Sequence, residues 1–134
     1  MSEEIYKVEF DSGLDLSQAN LLDGFSFPWK EEDSPETTFR AVWNERVFSF
    51  RFDVEDADIV LAENEDTGSA ALGSDRVELL FATTPELKES YYGAEMDPVG
   101  RCFDYQASYY REFDSSWSFD SLTFGGRIRE SGYS

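Results

Sequence analysis

Two segments near the middle of the sequence place carboxylates inside apolar, strand-like runs. Asp75–Phe81 (DRVELLF) carries Glu78, and Tyr91–Tyr105 (YYGAEMDPVGRCFDY) carries Glu95 and Asp97. Acidic side chains are disfavoured in strands and costly to bury without a partner. Solvent, an arginine, a metal ion or a polar ligand must therefore offset that cost, and each of these partners implies a different chemistry.

Strand geometry predicts which of these side chains can act together. Glu95 and Asp97 are two residues apart and so share a face, which Glu78 joins if the two strands pair. Arg76 alternates with Glu78, and Arg101 follows the turn after Asp97. Three carboxylates at close range repel one another unless a cation is present. Three interpretations stay open: an arginine–carboxylate network, a sugar-binding face and a metal site.

Composition excludes several classes of function. The formal charge of −18 and the pI near 4.1 argue against binding to nucleic acid or to an anionic membrane surface. The absence of histidine removes the commonest general base and the usual zinc and haem ligands. Uncharged sugars and cations remain as ligands. The single cysteine, Cys102, alternates with strand residues, and we expect a buried, inert thiol.

Two-residue periodicity predicts a hairpin in the first half of the chain. In Val47–Glu55 (VFSFRFDVE), aromatic and aliphatic residues alternate with polar ones, as in a half-buried strand. Thr37–Trp43 has the same pattern, and Asn44-Glu45 between them indicates a tight turn. Ile5–Phe10 is expected at a sheet edge.

Further strands are predicted in the second half. Asp75–Thr83 is apolar enough for a central strand, and Asp97-Pro98-Val99-Gly100 is typical of a turn between two antiparallel strands. Leu122–Arg129 is a weaker strand candidate. A single helical turn is expected at Thr84–Glu89, and Ala62–Ser74 is expected to be a mobile loop.

These short strands and turns predict an all-β fold. We expect one domain, residues 1–134, built as an antiparallel β-sandwich of immunoglobulin-like or jelly-roll-like architecture. Gly132-Tyr133 stands where another strand would begin, and the sequence ends one residue later at Ser134, so we expect a sandwich incomplete at its C-terminus. An open sheet edge of this kind could pair with a second subunit. The first residues, MSEEIYKVEF, do not resemble a signal peptide, and no apolar run is long enough to span a membrane.

The order of landmarks resembles the family 9 carbohydrate-binding modules and their relatives. The resemblance runs from about Asp23 to Tyr133. It is carried by DGFSFPW, by the hairpin that ends in Val54-Glu55-Asp56, by SDRVELLF, by YYGAEMDPVGRCFDY and by the closing SGYS. The resemblance implies a β-sandwich that binds glycan or oligosaccharide ends, as in xylan or cellulose, and that carries calcium. It also implies a non-catalytic role, such as that of an accessory module of a glycoside hydrolase, and an extracellular or periplasmic location.

The resemblance assigns Glu78 to a position that faces the sugar and accepts hydrogen bonds from hydroxyls. Together with the reasoning from the strands, it gives the candidate ligand-binding residues Glu78, Glu95, Asp97, Arg76, Arg101 and Trp117. Asp56 and Asp75 are the candidate calcium ligands. Trp117 lies in a less patterned stretch, where it could line a groove or belong to a small packed core.

The sequence departs from the sugar-binding members in three ways, one of which is the expected lack of the family's C-terminal portion, which supplies a second aromatic wall. Leu72 stands near the position where a sugar-stacking tryptophan is wanted, and acidic Glu95 and Asp97 stand where those members tend to have arginine and amide donors. Two alternatives therefore stay open. The chain could be a divergent β-sandwich interaction domain without sugar binding, or a small glycosidase that uses paired carboxylates.

Overall fold

A computed structural model describes residues 5–26, 34–82, 84, 90–108, 112–114, 116–120 and 122–134. In this part of the chain the structure is almost entirely β. The strands are β1 (Glu9–Phe10), β2 (Leu21–Leu22), β3 (Thr37–Trp43), β4 (Phe48–Glu55), β5 (Val77–Ala82), β6 (Tyr91–Met96), β7 (Cys102–Ser108), β8 (Glu112–Asp114), β9 (Ile128–Arg129) and β10 (Gly132–Tyr133). One 3-10 turn, Leu16–Gln18, and one short helix, α1 (Thr67–Leu72), accompany them. The strands form two sheets, so the predicted all-β sandwich class is confirmed.

A six-stranded sheet contains the predicted hairpin of β3 and β4. Its strand order is β1-β3-β4-β10-β9, with β2 also paired to β3, and the β1–β3 pair is parallel. The β3–β4 register joins Thr37 to Val54 and Trp43 to Phe48. The side-chain oxygen of Asn44 accepts hydrogen bonds from the Arg46 and Val47 amides, which closes the turn. Of the segment Ile5–Phe10, predicted at a sheet edge, Glu9–Phe10 forms β1, which is an edge strand among the described residues.

A four-stranded antiparallel sheet has the order β5-β6-β7-β8. The predicted turn at Asp97-Pro98-Val99-Gly100 joins β6 to β7, and Gly100 there has the positive φ of 87° that favours glycine. The prediction of a central β5 was wrong, because β5 is an edge strand of this sheet in the described part of the chain. Burial alternates along β5, and Leu80, on the more exposed face of the strand, is 59% exposed.

The predicted loop Ala62–Ser74 contains α1. Asp66 caps the helix, since its carboxylate accepts from the Ser69 amide at 2.9 Å. The hydrogen bond from the Ser69 hydroxyl, and next the one from the Ser69 amide, lower the pKa of Asp66. Ala70 and Ala71 are fully buried. The helix forms in spite of its weak helix formers because packing and the cap outweigh local propensity.

The chain divides into two compact units. One consists of Met1–Ala57 with Arg129–Ser134, and the other of Asp58–Ile128. The first holds β3, β4 and β10, and the second holds α1 and the four-stranded sheet. The single domain expected over residues 1–134 stays a prediction.

Candidate functional site

The four-stranded sheet brings two of the predicted ligand residues together. In the β5–β6 register Glu78 lies directly opposite Glu95, and Glu95 lies opposite Phe103 of β7. Residues paired in this way share one face of the sheet. The predicted common face of Glu78 and Glu95 is therefore confirmed. Two like charges directly opposite each other destabilise a sheet, so a compensating interaction is required.

Arg76 supplies that compensation for Glu95. Its Nε donates to Glu95 Oε1 at 2.7 Å, and its Nη1 donates to the carbonyls of Leu72 and Ser74 at 3.0 and 3.3 Å. The two carbonyl bonds hold the guanidinium at the end of α1. Arg76 is thus fixed beside Glu95 and neutralises that carboxylate.

Glu78 has a different partner, Tyr105, which the sequence analysis missed. The Tyr105 hydroxyl donates to Glu78 Oε1 at 2.9 Å. Tyr105 is only 4% exposed, whereas Glu78 lies at the surface. Burial, and next the hydrogen bond to Glu78, raise the pKa of Tyr105, so the phenol stays a donor across the neutral range. A buried tyrosine therefore orients an exposed carboxylate.

Gly93 provides the space for that tyrosine. Gly93 pairs with Tyr105 across β6 and β7, and a Cβ at Gly93 would overlap the Cζ and Oη of Tyr105. The ring thus lies over the backbone of β6 at the one residue without a side chain. A glycine within a strand marks such a close approach, but the sequence alone does not show which group approaches.

Apolar side chains surround Glu78 on the same face. We call this surface the carboxylate face and define it by Glu78, Leu80, Gly93, Glu95, Phe103, Tyr105 and Phe113. Tyr105 contacts the rings of Phe103 and Phe113, with centroids 5.5 and 5.1 Å apart. Leu80 and Phe113 are 59% and 56% exposed. An oriented carboxylate beside exposed apolar groups suits a ligand that has both hydroxyls and an apolar ring face.

Asp97, which is buried, forms an ion pair with the part-exposed Arg101 at the β6–β7 turn. The Asp97 side chain is 0% exposed, its Oδ1 accepts from the Val99 and Arg101 amides, and its Oδ2 accepts from Arg101 Nε. Arg101 also donates to the Ser74 hydroxyl at 3.2 Å. The network interpretation therefore describes how Arg76, Glu95, Asp97 and Arg101 are held in this structure. Asp97 and Arg101 support the turn, and their predicted contact with ligand stays a prediction.

Trp117 lies on the other face of the four-stranded sheet. Its ring contacts Tyr92 and Phe119, with centroids 4.8 and 4.7 Å apart, and Phe119 also contacts Phe81. Asp104 fixes this segment by accepting from the Ser118 hydroxyl and the Phe119 amide. Of the two interpretations of Trp117, the small packed core matches these contacts.

Cys102 is half-buried, and burial followed by the charges of Asp104, Glu95 and Asp97 raises its pKa to about 11. We predict that iodoacetamide alkylates the folded protein roughly 100-fold more slowly than an unfolded control near pH 8, because the thiolate is correspondingly scarcer. The rate is measured by mass spectrometry with and without urea. Equal rates in the two conditions would contradict the prediction.

Calcium binding by Asp56 and Asp75 stays a prediction. Asp56 and Asp75 lie in different compact units. Asp75 Oδ2 accepts from the Val60 amide at 2.8 Å. No group of three or more acidic or cysteine side chains is close enough there to hold a metal ion. Calcium takes six to eight oxygen ligands, and backbone carbonyls and waters can supply some of them.

Comparisons with known proteins identify the family of the chain. The family model described as carbohydrate family 9 binding domain-like matches residues 16–133. No curated protein and no solved structure matched the chain significantly. None of the helices in the described residues is long and apolar enough to cross a membrane. Because the match covers nearly the whole sequence, the chain belongs to the carbohydrate family 9 binding domain-like family.

Proposed function

We propose that this protein is a non-catalytic carbohydrate-binding module that holds the end of an oligosaccharide on its carboxylate face. The observation that carries the proposal is Glu78, an exposed carboxylate oriented by the buried hydroxyl of Tyr105. A carboxylate can accept from two adjacent sugar hydroxyls, and each bond to a charged acceptor contributes about 1.5–3 kcal/mol. Leu80 and Phe113 offer apolar contact to the sugar ring.

The orientation of the Glu78 carboxylate affects affinity, because ordering a mobile side chain when the ligand binds weakens binding. Ordering a flexible side chain at an interface costs about 0.5–1.5 kcal/mol. The Tyr105 bond holds one Glu78 oxygen before ligand arrives, and Arg76 does the same for Glu95. Family membership supports an exported location, extracellular or periplasmic.

The test is titration calorimetry with xylo- and cello-oligosaccharides. Glu78→Gln is expected to weaken binding by about 10-fold or more, because a neutral amide replaces the charged acceptor. Tyr105→Phe is expected to weaken binding by a smaller factor, since the carboxylate remains but is no longer held. Glu112→Gln removes one negative charge from the opposite face of the same sheet and serves as the matched control.

Two results would refute the proposal. One is the absence of any heat of binding at millimolar sugar, and the other is binding that Glu78→Gln leaves unchanged. Circular dichroism of each variant establishes that a loss of binding does not reflect a loss of fold.

An interaction domain is the second candidate, and the edge position of β5 is the observation that favours it. An edge strand presents unpaired backbone groups to which another strand can add, and Leu80 on β5 is exposed. Light scattering over a range of concentrations distinguishes the candidates. A mass that rises with concentration in the absence of sugar would favour pairing through this edge.

A further inference from the structure

The charge of Glu78 is not neutralised within the described part of the chain. Its hydrogen bond comes from the neutral phenol of Tyr105. The nearest arginine in sequence, Arg76, is already bound to Glu95 and to two carbonyls, and Arg101 is bound to Asp97 and Ser74. No described lysine or arginine forms an ion pair with Glu78. Among the described residues, one guanidinium thus neutralises one of two opposed carboxylates, which leaves one negative charge at the surface.

The negative charge of the surrounding protein adds to the negative charge of Glu78. The unit Asp58–Ile128 contains 14 acidic and 5 basic side chains, and the whole chain has a formal charge of −18. A surface of one sign attracts counter-ions and oppositely charged ligands over roughly a Debye length, about 8–10 Å in ordinary buffers. A cationic group on the ligand is favoured at Glu78, and an anionic group is disfavoured.

The rest of the carboxylate face restricts what kind of cation fits. Leu80 lies two residues from Glu78 on the same strand face, and Phe103, Tyr105 and Phe113 form a row of rings on that face. Apolar groups of this size do not suit a bare metal ion, whose ligands are oxygens. They suit a ligand that carries its positive charge on a ring with an apolar side.

We propose that the carboxylate face selects glycan ends that carry a protonated amino sugar, with the ammonium group on Glu78. The proposal rests on the proposed function and specifies its substrate class. An ammonium group supplies three donors and a full positive charge, whereas a hydroxyl supplies one donor and no charge. N-acetylation of the amine removes the charge, and a uronic acid places a second carboxylate opposite Glu78. Both modifications are therefore expected to weaken binding.

The experiment compares three dimers of equal length: the glucosamine dimer, its N-acetylated form, and cellobiose. Titration calorimetry is carried out at low salt and about pH 6, below the pKa of such an amine. We expect the glucosamine dimer to bind at least about 10-fold more tightly than the other two dimers. A 10-fold difference in affinity is equivalent to about 1.4 kcal/mol. Added salt should reduce this preference, because screening weakens the attraction between charges near the surface.

Variants separate a local contact from general attraction to an acidic protein. Glu78→Gln should abolish the preference for the amine, while Glu112→Gln, with the same change in net charge, should retain it. Equal affinity for the three dimers would overturn the inference and leave the proposed function standing. A preference that survives in Glu78→Gln would also overturn it. If none of the dimers binds and the longer neutral oligosaccharides also fail, the proposed function itself is refuted.

Discussion

Replacing Arg101 by methionine is expected to lower the free energy of unfolding by about 3 kcal/mol. Removing one partner of a buried ion pair typically costs about 3–5 kcal/mol, because the other charge is left without compensation. Asp97 is that other charge, and its side chain is 0% exposed. The lower end of the range applies because the Val99 and Arg101 amides still donate to the carboxylate in the variant. Urea unfolding followed by tryptophan fluorescence measures the change.

The double variant Asp97→Asn/Arg101→Met is the informative control. It removes both charges, so it should recover part of the stability that the single variant loses, even though methionine still lacks the bond to Ser74. Arg127→Met changes an exposed arginine of the same unit and should stay within about 0.5 kcal/mol of the parent protein. If Arg101→Met matches Arg127→Met, the pair contributes nothing to the turn.

The hairpins could be predicted from sequence because each combines a clear period of two with a turn signal. Val47–Glu55 alternates apolar and polar residues, and Asn44 provides the side-chain oxygen that closes the turn. Asp97, Pro98 and Gly100 provide the turn signal between β6 and β7, where the Gly100 amide donates to the Asp97 carbonyl. In both hairpins the strands that pair are adjacent in sequence. Local chemistry therefore specified the pairing.

The failures of prediction concern contacts that are distant in sequence or not encoded by local preference. α1 was missed because Gly68 and Ser69 are weak helix formers, and the helix owes its stability to the Asp66 cap and to packing of its alanines. β5 was expected to be central because five of its six residues are apolar. Its edge position depends on which strands pair with it, and the β5 sequence does not contain that information.

Only part of the candidate site could be predicted from the sequence, because its contacts depend on which strands lie side by side. The pairing of Glu78 with Glu95 follows once β5 and β6 are neighbours. The link between Tyr105 and Glu78 spans 27 residues and requires β7 to lie on the far side of β6. The sequence does not distinguish Gly93 from other strand glycines, because the Tyr105 ring that lies over it belongs to a different strand. The residues that orient Glu78 therefore became visible only in three dimensions.

Replacing Gly93 by alanine is expected to impair both folding stability and sugar binding. The new Cβ would overlap the phenol end of Tyr105. That ring is buried and flanked by Phe103 and Phe113, so it cannot simply move aside. Overpacking of this kind costs about 1–3 kcal/mol. A displaced ring also moves the hydroxyl away from Glu78, and we expect the affinity for oligosaccharide to fall by about 2- to 10-fold, since ordering a mobile side chain costs about 0.5–1.5 kcal/mol.

Comparison with two other variants separates the effects of Gly93→Ala. Gly125→Ala adds the same methyl group where no atom lies within 4 Å, so it should change neither stability nor affinity. Tyr105→Phe leaves the ring in place and should weaken sugar binding with little change in urea stability, because only the bond to the exposed Glu78 is lost. Gly93→Ala should lose both. Full retention of Glu78-dependent binding in Gly93→Ala would show that Tyr105 does not orient the carboxylate, and the affinity of the face would then have to arise from Glu78 and its apolar neighbours alone.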